Sequence, residues 1–180
     1  MRVITGTARG KRLKTLEGQD VRPTSEKVKE AMFSIIQFDL PEARVLDLFA
    51  GSGQLGIEAL SRGAKSCIFV DKSRNSVNMV RENVESCGFS DRSRILNIGA
   101  VDFLRSCPEI DIALLDPPYS NGLIEEALPL LESRIASGGT VICEHEAGLK
   151  LPERVGRLVK KREYGYGKTV AMTTYTVEEN

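Results

Sequence analysis

From residue 43 the chain reads ARVLDLF and runs directly into Ala50-Gly51-Ser52-Gly53-Gln54-Leu55-Gly56. An apolar run of this kind, bounded by a glycine turn, is a buried strand; residues 54–62 then have helical character and Gly63 stops them. Three glycines at G-x-G-x-x-G spacing between strand and helix let the backbone turn sharply and approach a bound ligand closely. The alternation continues. Strands are predicted at 66–71, 93–98, 110–116 and 138–146, with one helix begun by Ser73 and stopped by Gly88, and another near 122–134 interrupted at Pro129. Residues 157–177 read as two strands around a glycine turn. Such alternation predicts an α/β fold, a mostly parallel sheet with helices on both faces. Residues 1–40 stand apart as an appendage of short extended pieces and, after Pro23, a helix carrying Val28, Ala31, Met32, Ile35 and Ile36 on one face with Thr24 or Ser25 as its N-cap. Residues 41–180 form the remainder of what is expected to be one compact unit.

The second strand ends at Asp71, twenty residues beyond Gly51. A carboxylate there can accept hydrogen bonds from both hydroxyls of a ribose, so an adenosine-bearing ligand is expected at the carboxyl edge of the sheet. Two ligands fit. A dinucleotide needs a helix N-terminus free for its pyrophosphate. S-adenosylmethionine has a sulfonium and an amino-acid end instead, and Asp47, four residues before the first glycine, favours positive charge and repels pyrophosphate.

The fourth strand runs into Asp116-Pro117-Pro118-Tyr119 on the same edge, next to the glycine turn if the strands are ordered 3-2-1-4-5. This tetrad suits methylation of an exocyclic amine on a nucleobase. Such a nitrogen is planar and a poor nucleophile. Asp116 can accept one of its N–H groups and the Pro117 carbonyl the other, which favours a pyramidal nitrogen with its lone pair aimed at a methyl carbon. Tyr119 would stack on the unstacked base.

Composition narrows the setting. Hydrophobic residues make up 41% and charged residues 28% of 180, a globular balance that argues against disorder and coiled coil. No apolar run approaches the ~20 residues of a membrane helix, and the first residues lack a signal-peptide core, so a cytoplasmic address is expected. Cys67, Cys87, Cys107 and Cys143 stand far apart without a CxxC pair, so free thiols are expected and no metal site. The net charge of zero hides a pattern: residues 1–16 hold five basic residues and no acid, 150–168 hold seven basic against two acidic, and 40–149 carry ten basic against sixteen acidic. Basic ends around an acidic middle fit a polyanion held at the edges of the molecule. His145, late in the fifth strand, reads as a packed or surface histidine, and Glu144 and Glu146 as acids that hold the sheet edge together.

VLDLFAGSGQLGIEAL, VD at 70–71 and LLDPPY resemble Rossmann-like S-adenosylmethionine-dependent methyltransferases acting on amino groups. RVITGTARGKRL, RPTSEKVKEAMFSII at 22–36 and YGYGKT at 164–169 resemble, more narrowly, the RsmD-type 16S rRNA guanine-N2 methyltransferases. The resemblance implies a class I methyltransferase fold with a seven-stranded sheet of order 3-2-1-4-5-7-6, strand 7 antiparallel, and a small N-terminal β-hairpin. It implies that Phe49, Ala50, Gly51 and Gly53 line the methionine portion of S-adenosylmethionine, Asp71 the ribose, and Ala100 with Asp102 or Phe103 the adenine. Asp116, Pro117, Pro118 and Tyr119 would hold the guanine amine, Arg22 and Thr24 would help close the cofactor pocket, and Arg9, Lys11 and Arg12 would contact phosphates. The partner so implied is 16S rRNA or a small-subunit assembly particle, met by a monomer with no membrane attachment. Gly99 departs from the polar residue common at that position in the family, leaving a backbone contact to the adenine. DNA adenine-N6 methylation, an NAD-dependent dehydrogenase and an RNA-binding module with a vestigial pocket are the alternatives.

Overall fold

The computed structural model describes residues 1–16, 23–119 and 121–179. The chain builds one eight-stranded sheet in the order β3-β2-β1-β4-β5-β8-β7-β6. Its strands are β1 (Arg44–Asp47), β2 (Ser66–Asp71), β3 (Ser93–Asn97), β4 (Ile110–Leu115), β5 (Ile135–Glu146), β6 (Arg154–Val155), β7 (Leu158–Tyr166) and β8 (Val170–Val177). The helices are α1 (Pro23–Ile36), α2 (Gln54–Ser61), α3 (Arg74–Ser86), α4 (Ala100–Leu104) and α5 (Leu123–Leu131). Strands β1 to β5 pair parallel, whereas β8 pairs antiparallel with both β5 and β7.

Residues alternating along each strand divide the core in two. Val45, Phe69, Ile112, Leu114 and Ile142 face α1, α2 and α3. Leu46, Val70, Ala113, Leu115 and Val141 face α4 and α5. Both faces of a parallel sheet are thereby covered, which is why its central strands are apolar throughout. Gly56 sets how closely α2 lies on the sheet: a Cβ there would stand 2.3 Å from the Phe69 ring and 2.7 Å from the Cys67 sulfur. Cys67, Cys107 and Cys143 are buried, Cys87 half-buried, and all four are free thiols.

The predicted strand order holds, with one addition and several shifted boundaries. The two-residue β6 extends the sheet beyond the seven strands expected, pairing Arg154 with Val159 and Val155 with Leu158. Helix α1 starts at Pro23, so Thr24 and Ser25 lie within its first turn and neither is its N-cap; proline is suited to that first position because its missing N–H has no helical acceptor. The five-residue α4 was not expected, and β5 begins three residues earlier than predicted. Ser73 caps α3, accepting from the Ser76 N–H.

The N-terminal hairpin is short. Arg2 and Arg12 form one antiparallel bridge, with Val3 N–H to Lys11 O and Gly10 N–H to Val3 O beside it. It is docked on α2 by one buried carboxylate. Glu58 accepts the Ile4 and Thr5 N–H groups at 2.9 and 3.0 Å, pairs with Arg62 at 2.9 Å, and lies 3.3 Å from the Lys29 ammonium on α1. Burial lowers the Lys29 pKa, with Glu58 opposing the shift. Ser61 and Asn83 add further bonds to the backbone of Thr5, Ala8 and Lys14.

Candidate active site

The carboxyl ends of β1, β2, β4 and β5 bring four acids to one edge of the sheet. Asp47 closes β1. It is buried, and its Oδ2 accepts the Gly56 N–H at 2.9 Å, taking one of the donors that the first turn of α2 leaves free. Burial pushes its carboxyl up to about 7; the Gly56 bond opposes this, and the charges of Asp116 and Asp71 add to it.

Asp71 closes β2 and holds the glycine turn. Its Oδ2 accepts the Gly51 N–H at 2.9 Å and its Oδ1 the Ser73 N–H at 2.8 Å. Each oxygen keeps further acceptor capacity for a hydroxyl. Gly51 adopts φ +57°, which favours glycine, and a Cβ placed on it would meet nothing within 4 Å, so the turn has open space above it. Ala50 is tucked beneath the turn with its N–H bonded to Val70 O, while Phe49 is half-buried against the α4–α5 side of the core. Gly53 also has a positive φ and abuts Val80 of α3. Ala100 opens α4 just past β3.

Asp116 follows the last residue of β4. The register Leu115↔Cys143 sets it beside Glu144 of β5. Burial raises the pKa of both carboxyls, and the charge of Asp116 raises that of Glu144 further. Among the described residues, neither shift has a neighbouring cation among its causes. The Tyr119 hydroxyl hydrogen-bonds Glu144, and burial together with that carboxylate pushes it up to about 12. Pro117 is buried and Pro118 exposed. A cavity of about 230 Å³ opens here, walled by Pro117, Pro118, Tyr119, Ile124, Glu144 and Leu149 among others.

Among the described residues three large apolar side chains are exposed, and two of them, Ile98 after β3 and Tyr119 after β4, belong to this edge. Phe38 is the third and lies between α1 and the start of β1, toward the other edge. A branched aliphatic and an aromatic side chain left in water beside a row of acids offer contact surface for ring systems.

The predicted residues thus separate into groups. Asp47, Gly51, Gly53, Asp71 and Asp116 to Tyr119 share the edge. Arg9, Lys11 and Arg12 are exposed on the hairpin. Thr7 there donates to Ser61 O at the far end of α2, about 12 Å along the helix from the glycine turn. Lys14 pairs with Glu82 at 2.5 Å. Arg22 and the Thr24 side chain lie outside the described residues. His145 is buried, with Nε2 2.8 Å from Thr173 Oγ1 and Nδ1 2.9 Å from Glu146 O, a packing residue as expected. Glu144, expected only to hold the sheet edge together with Glu146, lines the cavity. Ile98 was not singled out at all, although an apolar residue just before Gly99 at a strand end was the available signal. Among the described residues no helix is long and apolar enough to cross a membrane, and no group of three or more metal-binding side chains is found.

Comparison with known proteins gives the fold and site a family context. The family model Conserved hypothetical protein 95 matches residues 1–175. YlbH of Bacillus subtilis is 38% identical over 175 residues, covering 94% of this chain and 95% of YlbH. The Ribosomal RNA small subunit methyltransferase D of Haemophilus influenzae is 37% identical over 136 residues, covering 73% of this chain and 70% of its own. Among solved structures, the yhhF protein of Escherichia coli superposes with a TM-score of 0.89 at 30% identity, covering 100% of this chain and 99% of that one. The chain is a member of the Conserved hypothetical protein 95 family, with a Rossmann-like methyltransferase fold and ribosomal RNA small subunit methyltransferase D proteins among its relatives.

Proposed function

We propose that this protein methylates the exocyclic N2 amine of a guanine in 16S rRNA, using S-adenosylmethionine, as a monomer in the cytoplasm. The observation that carries this is the row of acids at the sheet edge: Asp47 and Asp71 hold the glycine turn, Asp116 directly precedes the Pro117 wall of the cavity, and Glu144 lines it. A pyrophosphate would be repelled there, whereas a cationic sulfonium ligand and a neutral base rich in N–H donors are favoured.

S-adenosylmethionine, when bound, supplies a methyl carbon made electrophilic by its sulfonium. Gly51 and Gly53 give the ligand access to the backbone, Asp71 has acceptor capacity left for ribose hydroxyls, and Ile98 and Ala100 offer apolar cover for an adenine. Asp47, buried and crowded by like charges, gains from a nearby ammonium. At the other half of the site Asp116 accepts one N–H of the guanine amine and the Pro117 carbonyl the second, which turns the nitrogen lone pair toward the donor side. The Asp116 carboxylate also stabilises the positive charge that develops on the nitrogen and takes up the proton it loses. Tyr119 stacks on the extruded base. Arg9, Lys11 and Arg12, exposed and outside the cavity lining, hold phosphates of the RNA.

The test is to map methylated nucleotides in 16S rRNA from a strain lacking the gene and from the same strain carrying it. One N2-methylguanine that disappears and returns is expected. An unchanged 16S rRNA, or methylation of duplex DNA adenine by the purified chain, would overturn the reading. Melting with cofactors gives an independent check: S-adenosylmethionine raises the melting temperature and NAD does not.

A further inference from the structure

Two carboxylates on adjacent strands stand side by side, Glu144 lining the cavity and Asp116 directly before its Pro117 wall, and the proposed chemistry uses only Asp116. Glu144 is held in place from two sides. Its backbone pairs with Met172 of β8, and its carboxylate accepts the Tyr119 hydroxyl. It is half-buried, and among the described residues its charged neighbour is Asp116 rather than a cation. Two acids side by side without a counter-ion are costly in a partly dry site unless a ligand brings donors to both.

We infer that Glu144 selects guanine by accepting the N1–H of the base whose N2 amine Asp116 holds. This rests on the N2 reading above. In guanine the N1–H sits directly beside the N2 amine, so two adjacent donors meet two adjacent carboxylates. Adenine presents an unprotonated N1 beside its amine, and the Glu144 oxygen would then face a lone pair. A site built around a hydrogen bond rejects the analogue that lacks it far more strongly than a merely apolar pocket could. Glu144 is on this account a specificity-determining residue, with Tyr119 fixing its orientation.

The test uses a short synthetic RNA spanning the mapped nucleotide, made with either guanosine or 2-aminopurine riboside at that position. Both carry the N2 amine; only guanine has the N1–H. Wild-type protein should lose about tenfold to a hundredfold in kcat/KM on the 2-aminopurine RNA. In Glu144→Gln the carboxamide can donate to the bare N1, so that ratio should shrink severalfold. S-adenosylhomocysteine should still raise the melting temperature of the variant, a result that separates selection from loss of fold. Equal rates of the wild type on both RNAs would overturn the inference whatever the variant does. So would an unchanged ratio in Glu144→Gln, or a variant that no longer responds to S-adenosylhomocysteine. Wild-type protein inactive on both RNAs and on small-subunit particles from the strain lacking the gene would instead sink the N2 reading on which the inference stands.

Discussion

Glu58 and the Asp116–Glu144 pair are both carboxylates sunk into the protein, yet their surroundings are opposite. Glu58 is met by Arg62, Lys29 and two backbone N–H groups. Among the described residues, Asp116 and Glu144 are met by each other and by one tyrosine hydroxyl. The first arrangement is saturated and ties the hairpin to α2. The second leaves acceptor capacity and charge unsatisfied toward a cavity. Burial alone therefore does not mark a functional acid; burial without compensating donors does, because folding gains nothing from that arrangement.

The most demanding break of this comparison is Asp116→Ala. Methyl transfer is expected to fall by about a thousandfold or more, since charge stabilisation and lone-pair alignment are lost together. The rise in melting temperature with S-adenosylmethionine should survive. Turnover close to wild type would remove Asp116 from the reacting atoms. Glu58→Ala tests the other member. Removing it leaves Lys29 buried beside Arg62, and a stability loss of about 3–5 kcal/mol is expected in denaturant melts. Protease cleavage after the basic residues of 1–16 should accelerate at the same time. A loss below about 1 kcal/mol would mean that the two sites are less different than their contacts imply.

Smaller effects sharpen the contrast. Replacing Arg9, Lys11 and Arg12 together by alanine should weaken RNA binding and flatten its salt dependence by a slope of about two to three in log–log form. Catalysis at saturating RNA should be nearly unchanged, because none of these side chains lines the cavity. A fall in kcat without a change in slope would place them in the reaction. The smallest effect concerns Asp47. Its pKa is raised by burial from near 4 to about 7 in the folded chain. The stability linked to its protonated form is thus fully present below pH 4 and is lost as pH rises through 7. Asp47→Asn cannot titrate, so the ligand-free variant should melt above wild type at pH 8, and the gap should close toward pH 4. Parallel melting curves across that range would mean the native carboxyl titrates like an exposed one.

Much of the fold was legible before any coordinates. The central strands, α2 and α3 announced themselves through apolar runs, glycine stops and the Ser73 cap, all local in sequence. The short α4 and the two-residue β6 were not, since five and two residues carry too little periodicity and are fixed by tertiary packing. The start of α1 was misplaced because Thr24 and Ser25 look like caps, while Pro23 already occupies the first helical position. In the site, the glycine turn, Asp71 and the Asp116 tetrad were readable because each lies in one short segment. Glu144 was not, because its partnership with Asp116 crosses two strands 28 residues apart and depends on the pairing of Leu115 with Cys143.

The clamp that Asp71 places on Gly51 and Ser73 has a kinetic corollary. Both backbone N–H groups are tied to that one side chain before any nucleoside arrives, so the receiving turn is already shaped. Capture then requires no ordering of a loose loop, and stopped-flow traces of donor association should be single-exponential, with an observed rate that climbs in proportion to donor concentration and does not level off.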